Sequence, residues 1–164
     1  MHFTGLLYRA HNPVWSHAPL SGEGAARFGG RFNRIGRPAL YTSLAPETAL
    51  REANQVGTLQ PTTLVAYQAD IGPLLDGRDE AALAPFAMAP SDLADPDWRD
   101  RMLSGKPVPT QDLAEASIAQ GFAGIVVPSY ARGAPVDALN LVLWDWAGRI
   151  TLVDDDDRLG LRRS

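Results

Sequence analysis

The sequence contains no cysteine, so disulfides, thiolate nucleophiles and cysteine-ligated zinc sites are excluded, which fits a reducing cytoplasm. It has no excess of positive charge either, since its 15 basic residues are outnumbered by 19 acidic ones and the net charge is −4. A broad electrostatic footprint for nucleic acid is therefore not expected. Long apolar runs are also absent: the most apolar stretches, residues 124–127 and 139–146, are too short to cross a bilayer. We expect a cytoplasmic protein that binds neither membranes nor, by itself, nucleic acid.

Several motifs that would assign a function are incomplete. "GEGAAR" at residues 22–27 lacks the third glycine of a dinucleotide fingerprint and is expected to be a flexible loop. His2, His11 and His17 have no metal-ligand spacing. Ser129 lies in "VPSYARG" rather than in the G-x-S-x-G elbow of a hydrolase. "DDDD" at 154–157 lacks the glycine and terminal glutamate of a calcium loop. The sequence therefore predicts no metal site.

Hydrophobic patterns predict a strand-rich α+β chain whose 164 residues suit a single domain, 1–164. "TTLVAYQAD" alternates most clearly, with Val65 and Tyr67 on one face. Residues 11–28 are expected to be a loop, and the last two strands are expected to form a closing hairpin turned at Ala147–Gly148. The strands are expected in "LLYRA" (6–10), "RFN" (31–33), "ALYTS" (39–43), "TTLVAYQAD" (62–70), "GIVVPS" (124–129), "ALNLVLWDW" (138–146) and "RITLVDD" (149–155).

Three helices are predicted from capping residues and apolar stripes. Pro46 begins one that runs to about Val56, because proline tolerates the first helical turn. Its apolar stripe is expected to consist of Ala49, Leu50 and Ala53, and Gly57 is a natural stop. A short helix is expected around 97–103, ended by Gly105. A third is expected from Thr110, as N-cap, through Gln120 to Gly121.

The stretch "GGRFNRIGRPALYTSLAPETALREA", residues 29–53, places three polar groups on consecutive elements. The guanidinium of Arg31 matches phosphate oxygens bidentately, and Gly29 and Gly30 would let a ligand approach the backbone. The ring of Tyr41 suits a heterocycle, and Glu52 is a carboxylate on the helix. Considered singly, Arg31 is more simply explained as a surface arginine, Tyr41 as a strand tyrosine and Glu52 as a solvated charge on a helix.

Together these residues resemble the RES-domain family. The carrying stretch is "GEGAARFGGRFNRIGRPALYTSLAPETALREA", supported by "LYRA", "IVVPSYARG" and "ALNLVLWDW", so that the resemblance spans Leu6 to Trp146. It makes Ser129 the third signature residue, and Phe32 stands where tryptophan is common. The resemblance implies a toxin of a bacterial type II toxin–antitoxin pair, whose partner antitoxin carries a helix-turn-helix DNA-binding domain. It also implies NAD⁺ as co-substrate and a fold similar to ADP-ribosyltransferase toxins: a mixed, mainly antiparallel β core flanked by helices.

Roles for the site residues follow from that resemblance. Glu52 would stabilise the ribosyl cation that forms when nicotinamide leaves. Arg31, beside Gly30, would hold the ribose–pyrophosphate, with Arg9 as a second phosphate ligand. Tyr41 would pack against the nicotinamide ring. Ser129 would either hydrogen-bond the nicotinamide side or orient Glu52.

The reaction itself is left open by the sequence. Transfer of ADP-ribose to a protein acceptor is favoured, because no second base is clearly placed to activate water. Attack by water or phosphate, which would deplete NAD⁺, is the alternative. A non-catalytic binding module anchored by tryptophans is a further hypothesis, although Trp144 and Trp146 are expected in the core. An RNA-cleaving toxin is disfavoured by the acidic balance and by the lack of a His–Glu or His–Lys pair.

Overall fold

The computed structural model describes residues 1–55 and 60–153. Its strands form one seven-stranded sheet in the order β4-β5-β6-β2-β1-β3-β7. Only the β4–β5 pair is parallel among the paired strands of the described residues, and the other neighbours are antiparallel. The predicted α+β class with a mixed, mainly antiparallel core is confirmed. The strands are β1 (Phe3–His11), β2 (Leu40–Ser43), β3 (Thr63–Ile71), β4 (Leu74–Asp76), β5 (Gly124–Pro128), β6 (Leu139–Leu143) and β7 (Ile150–Leu152).

Helices occupy the connections between these strands. Short 3₁₀ turns cover Pro13–Trp15, Ala84–Phe86 and Pro90–Ala94. Among the described residues no helix is both long and apolar enough to traverse a bilayer. The α-helices are α1 (Glu23–Phe28), α2 (Pro46–Ala53), α3 (Glu80–Leu83), α4 (Trp98–Leu103) and α5 (Pro109–Ala119).

Alternation along the strands places the core on both faces of the sheet. Tyr67 on β3 is fully buried while Leu64 is exposed, as the pattern predicts. On β5 and β6, neighbouring residues enter different clusters: Val126 and Leu141 belong to one, Val127 and Val142 to the other. The central strands are therefore covered on both sides, which explains their continuous apolar runs.

The predicted closing hairpin is wrong. β7 pairs with β3 at one edge of the sheet, whereas β6 lies between β2 and β5 and has no free edge to offer. The connection from 144 to 149 is short, so the curled sheet must bring its β7 edge close to the end of β6. Trp144 and Trp146 lie in this connection, half-buried, and pack against the two core clusters, which confirms their expected packing role.

Other local predictions also need correction. Residues 11–28 are not a uniform loop, because "EGAARF" forms α1. "RFN" is not a strand; Gly30 and Asn33 form an isolated bridge around it. Thr110 lies inside α5, whose N-cap is Val108, and its hydroxyl bonds elsewhere. The predictions for Val56, Gly57 and the run 154–157 lie outside the described residues.

Candidate active site

Glu52 lies on the inward face of α2, and of the stripe predicted for that helix only Ala49 is buried. Thr48 and Ala49 are its buried residues, while Leu50 is 39% exposed and Ala53 is exposed as well. Position 52 follows position 48 by four residues and position 49 by three, so its side chain lies on the same side of the helix as theirs. The helix therefore directs Glu52 towards the sheet rather than into solvent.

Three chain segments converge on the Glu52 carboxylate. Ser129 Oγ and Asn140 Nδ2 both donate to its Oε1, at 2.5 and 2.6 Å. Asn140 is in turn oriented by Ser43 Oγ, which donates to its Oδ1 at 2.7 Å. The exposed Gln55 donates to Oε2. Hydrogen bonds to an ionised carboxylate are stronger than neutral ones, so this network fixes the position of the carboxylate.

Sheet register explains this convergence. Asn140 on β6 faces Ser43 on one side and Val127 on the other. Ser129 follows β5 directly, and its amide donates to the carbonyl of Ala138, which precedes β6. The sheet register therefore brings Ser129 and Asn140, which come late in the sequence, to the same point beside α2. Of the two possibilities for Ser129, the structure places its hydroxyl on Glu52.

Arg31 is half-buried, and its guanidinium is held from two sides. Its Nη1 donates to the carbonyls of Leu93 and Asp95 at 3.0 and 2.6 Å. The guanidinium carbon lies 4.7 Å from the centre of the Tyr130 ring and 5.8 Å from that of Trp98. Burial lowers the pKa of Arg31 from its ordinary value, while Tyr130 and Asp95 oppose that shift. The side chain remains cationic at neutral pH because guanidinium is too basic to lose its proton there.

Tyr41 is anchored through its hydroxyl. The hydroxyl donates to Asn33 Oδ1 at 2.8 Å and accepts from the amide of Phe32 at 3.0 Å. Burial raises the pKa of Tyr41 well above its ordinary value, so the phenol stays neutral. Its ring, not its hydroxyl, is the part available to a ligand.

The two glycines beside Arg31 meet neighbouring side chains closely, and both also line the second cavity. A Cβ on Gly30 would lie 2.3 Å from the Tyr41 hydroxyl, and one on Gly29 would lie 2.6 Å from Met102 Sδ. Neither distance is sterically allowed. Gly30 is therefore required where the backbone meets Tyr41.

Two cavities meet at these residues. The first, of about 470 Å³, is lined by Arg9, His11 and Trp15 together with aromatic and small residues. The second, of about 550 Å³, is lined by Arg31 and Trp98 together with further polar residues. Both are lined by Gly29, Tyr41, Glu52 and Asn140. The carboxylate thus lies at the junction of two compartments, with Arg9 in one wall and Arg31 and Arg99 in the other.

Arg9 does not join Arg31 in one cavity. It lines the first cavity, where its Nη1 donates to the carbonyls of Pro19 and Ser21 at 3.3 and 3.2 Å. Arg31 lines only the second. Together they can contact one ligand only if that ligand extends through both compartments.

Among the described residues, each cavity is lined by one residue whose buried polar atom has no hydrogen-bond partner. His11 Nδ1 bonds to the carbonyl of Asn12 at 2.9 Å, and its Nε2 has no partner. Burial lowers the pKa of His11 and favours the neutral ring. The hydroxyl of Tyr130, in the second wall, also lacks a partner, and burial raises its pKa to about 12. Such groups are rare in folded proteins.

Sequence reasoning missed Asn140, Ser43, Trp98 and Tyr130 as members of the site. Asn140 could have been found from the sequence, because its amide side chain interrupts the apolar run "ALNLVLW". Ser43, Trp98 and Tyr130 had none that separates them from ordinary structural residues. Within residues 1–55 and 60–153 no group of three or more His, Asp or Glu side chains is arranged to hold a metal ion.

Comparison with known proteins places this geometry in a family. No curated protein matches the chain. Among solved structures, the crystal structure of the M. tuberculosis MbcT–MbcA toxin–antitoxin complex is similar, with a TM-score of 0.55 and 21% identity. That match covers 100% of this chain and 92% of the other, and at this identity it shows a shared fold. The RES domain matches residues 6–160, which include every site residue named above. The chain therefore belongs to the RES domain family.

Proposed function

We propose that this protein is the toxin of a type II toxin–antitoxin pair, and that it breaks the nicotinamide–ribose bond of NAD⁺ and transfers ADP-ribose to a protein acceptor. The observation that carries this proposal is the Glu52 carboxylate, fixed by Ser129 and Asn140 at the junction of two cavities. Membership of the RES domain family and the similarity to a toxin of known fold support it.

Glu52 supplies the charge that the reaction needs. When the bond between ribose C1′ and the pyridinium nitrogen breaks, its electron pair stays on that nitrogen, and nicotinamide leaves as a neutral molecule. No general acid is required. Positive charge develops on the ribosyl carbon and ring oxygen, and a nearby carboxylate stabilises it, as in glycoside hydrolysis. Oε1 is held by Ser129 and Asn140, so we assign Oε2, whose partner is the exposed Gln55, to the ribose.

Arg31 binds phosphate in this proposal. Its Nη1 is taken by the carbonyls of Leu93 and Asp95, while its Nε and Nη2 make no hydrogen bond within the described residues. Two N–H groups on one edge of a planar guanidinium match two phosphate oxygens. Arg9 contacts the same dinucleotide from the first cavity, because the molecule extends past Glu52 into both compartments.

Tyr41 packs its ring against the nicotinamide. The ring lines both cavities beside Glu52, while its hydroxyl is held by Phe32 and Asn33. An electron-rich ring face favours a cationic pyridinium over the neutral product.

The acceptor is a protein side chain, whose nucleophilic atom bonds to C1′ and releases its proton to solvent. Depletion of NAD⁺ by water or phosphate is the second candidate, and one residue favours it. Asp100 lines the second cavity and is exposed, which provides the second carboxylate that the sequence did not indicate. A carboxylate there is able to accept a proton from an attacking water.

The partner we propose is an antitoxin with a helix-turn-helix DNA-binding domain. A toxin that consumes NAD⁺ must be held inactive in the cell that makes it. A partner segment lying across the mouths of the two cavities would achieve this by excluding NAD⁺. The similar M. tuberculosis structure is a toxin–antitoxin complex, which supports a partner of this kind.

Release of nicotinamide tests the reaction directly. The purified protein is incubated with NAD⁺ and the products are separated by chromatography; free nicotinamide is expected. Adding NAD⁺ labelled on its adenine, together with cell lysate, then identifies the acceptor by mass spectrometry. Label on protein supports transfer, and label only on small molecules supports depletion. If no nicotinamide is released, the protein is a binding module and the proposal is wrong.

A further inference from the structure

Three consecutive backbone carbonyls around Arg31 each accept a hydrogen bond from a side chain distant in sequence. Gln111 Nε2 donates to the carbonyl of Gly30 at 2.8 Å, and Thr110 Oγ1 donates to that of Arg31 at 2.6 Å. Trp144 Nε1 donates to the carbonyl of Phe32 at 2.9 Å. We call Thr110, Gln111 and Trp144 the carbonyl clamp. Thr110 and Gln111 are only 2% and 5% exposed, so these are buried contacts.

The clamp replaces the strand pairing that "RFN" lacks. Backbone polar groups removed from water must be paired, and residues 30–32 lie outside the named strands. The amide of Phe32 is paired as well, with the hydroxyl of Tyr41 at 3.0 Å. The backbone on both sides of the Arg31 Cα is therefore fixed by side chains from α5, from β2 and from the segment after β6.

We propose that Thr110, Gln111 and Trp144 are positioning residues that place the Arg31 guanidinium for a phosphate ligand. This inference rests on the phosphate-binding role of Arg31 in the proposed function. None of the three lines either cavity, so they act on a ligand only through the backbone that they hold. A misplacement of about 1 Å in a positioned group is enough to lower kcat/KM roughly a hundredfold.

A purely structural role would have a different signature. Residues that only stabilise the fold change the melting temperature and the fraction of active protein, and leave the affinity of each folded molecule unchanged. Positioning residues change the affinity for the phosphate-bearing part of the ligand. Glu52 is held separately by Ser129 and Asn140, so removing the clamp is expected to raise KM for NAD⁺ more than it lowers kcat.

The test uses conservative variants of the clamp, with ADP-ribose as the probe in calorimetry. Thr110→Val and Trp144→Phe each remove one donor and are expected to weaken ADP-ribose binding roughly tenfold, with KM rising in parallel. Thr110→Ser restores the hydroxyl and is expected to return affinity to about the wild-type value. Ser117→Ala is the matched control, because it removes a buried hydroxyl from the same helix whose bond is to Leu113 within α5. Inhibition by free nicotinamide is expected to stay unchanged in all four.

Arg31→Ala separates the failure of this inference from that of the proposed function. If Arg31→Ala weakens ADP-ribose binding while the folded Thr110→Val and Trp144→Phe variants bind within about twofold of wild type, the positioning role is overturned. If Arg31→Ala itself binds ADP-ribose normally, the phosphate role is wrong and the inference falls with it. If the wild type releases no nicotinamide but the variants weaken binding as expected, the reaction is wrong and the clamp stands. Should Thr110→Val not fold, Trp144→Phe decides, since Trp144 is only half-buried and the substitution keeps an aromatic ring while removing the indole N–H.

Discussion

Replacing Arg31 with lysine keeps the charge and removes the planar fork. The guanidinium bridges two carbonyls at 3.0 and 2.6 Å while lying against the rings of Tyr130 and Trp98. An ammonium group has no flat face to stack and does not offer two parallel N–H groups to a phosphate. Loss of one charge-assisted hydrogen bond costs about 1.5–3 kcal/mol. At about 1.4 kcal/mol per factor of ten, ADP-ribose affinity should fall roughly 10- to 100-fold.

Calorimetry with ADP-ribose measures this loss, and Arg37→Lys is the matched control. Arg37 lies on the same loop, pairs with Glu115 at 3.0 and 2.7 Å, and lines neither cavity. Its replacement should leave affinity unchanged. Arg31→Lys should also lower the free energy of unfolding by about 1–3 kcal/mol, because buried carbonyls lose a donor. An Arg31→Lys variant that binds ADP-ribose within about twofold of wild type would refute the phosphate role.

Three further outcomes are expected. Ser129→Ala should lower kcat about tenfold, since one of the two donors to Glu52 Oε1 is lost while Asn140 remains; an unchanged kcat would count against orientation of the carboxylate. Tyr41→Phe should lower the unfolding free energy by about 1–3 kcal/mol in denaturant titrations, and no change would show that its two hydrogen bonds are not stabilising. Burial raises the pKa of Tyr130 to about 12, so above pH 10 the unfolded chain loses this proton before the folded protein does. The free energy of unfolding should therefore fall between pH 10 and 12, and it should fall less in Tyr130→Phe. A free energy of unfolding that stays constant over this range would contradict the expectation.

The elements predicted best were those whose pattern is local. The alternation in β3, the proline that begins α2 and the glycine that follows α5 depend on neighbours in sequence. The partner of β7 was mispredicted because strand pairing depends on contacts across the whole sheet. In the sequence, a short connection between two strands looks like a hairpin whether or not those two strands pair with each other. "RFN" resembled a strand because nothing in the sequence shows that remote side chains satisfy its carbonyls.

The sequence selected four residues that the structure brings close together, but it missed other residues around them and did not predict their arrangement. Glu52, Arg31, Tyr41 and Ser129 do lie near one another, and the resemblance to a family selected them. The carboxylate's second donor, Asn140, and the separation of Arg9 from Arg31 into two cavities follow from sheet register and curl. Those are long-range properties, and local periodicity carries no information about them.

Glu52→Gln tests the central claim most directly, with Glu47→Gln as control. Glu47 is an exposed residue of the same helix, so its replacement makes the same chemical change away from both cavities. Release of nicotinamide from NAD⁺ is measured for the wild type and both variants. The carboxylate role predicts that Glu52→Gln loses a hundredfold or more in rate, roughly the effect of removing one transition-state electrostatic group, while Glu47→Gln matches the wild type. A folded Glu52→Gln variant that releases nicotinamide at nearly the wild-type rate would contradict it.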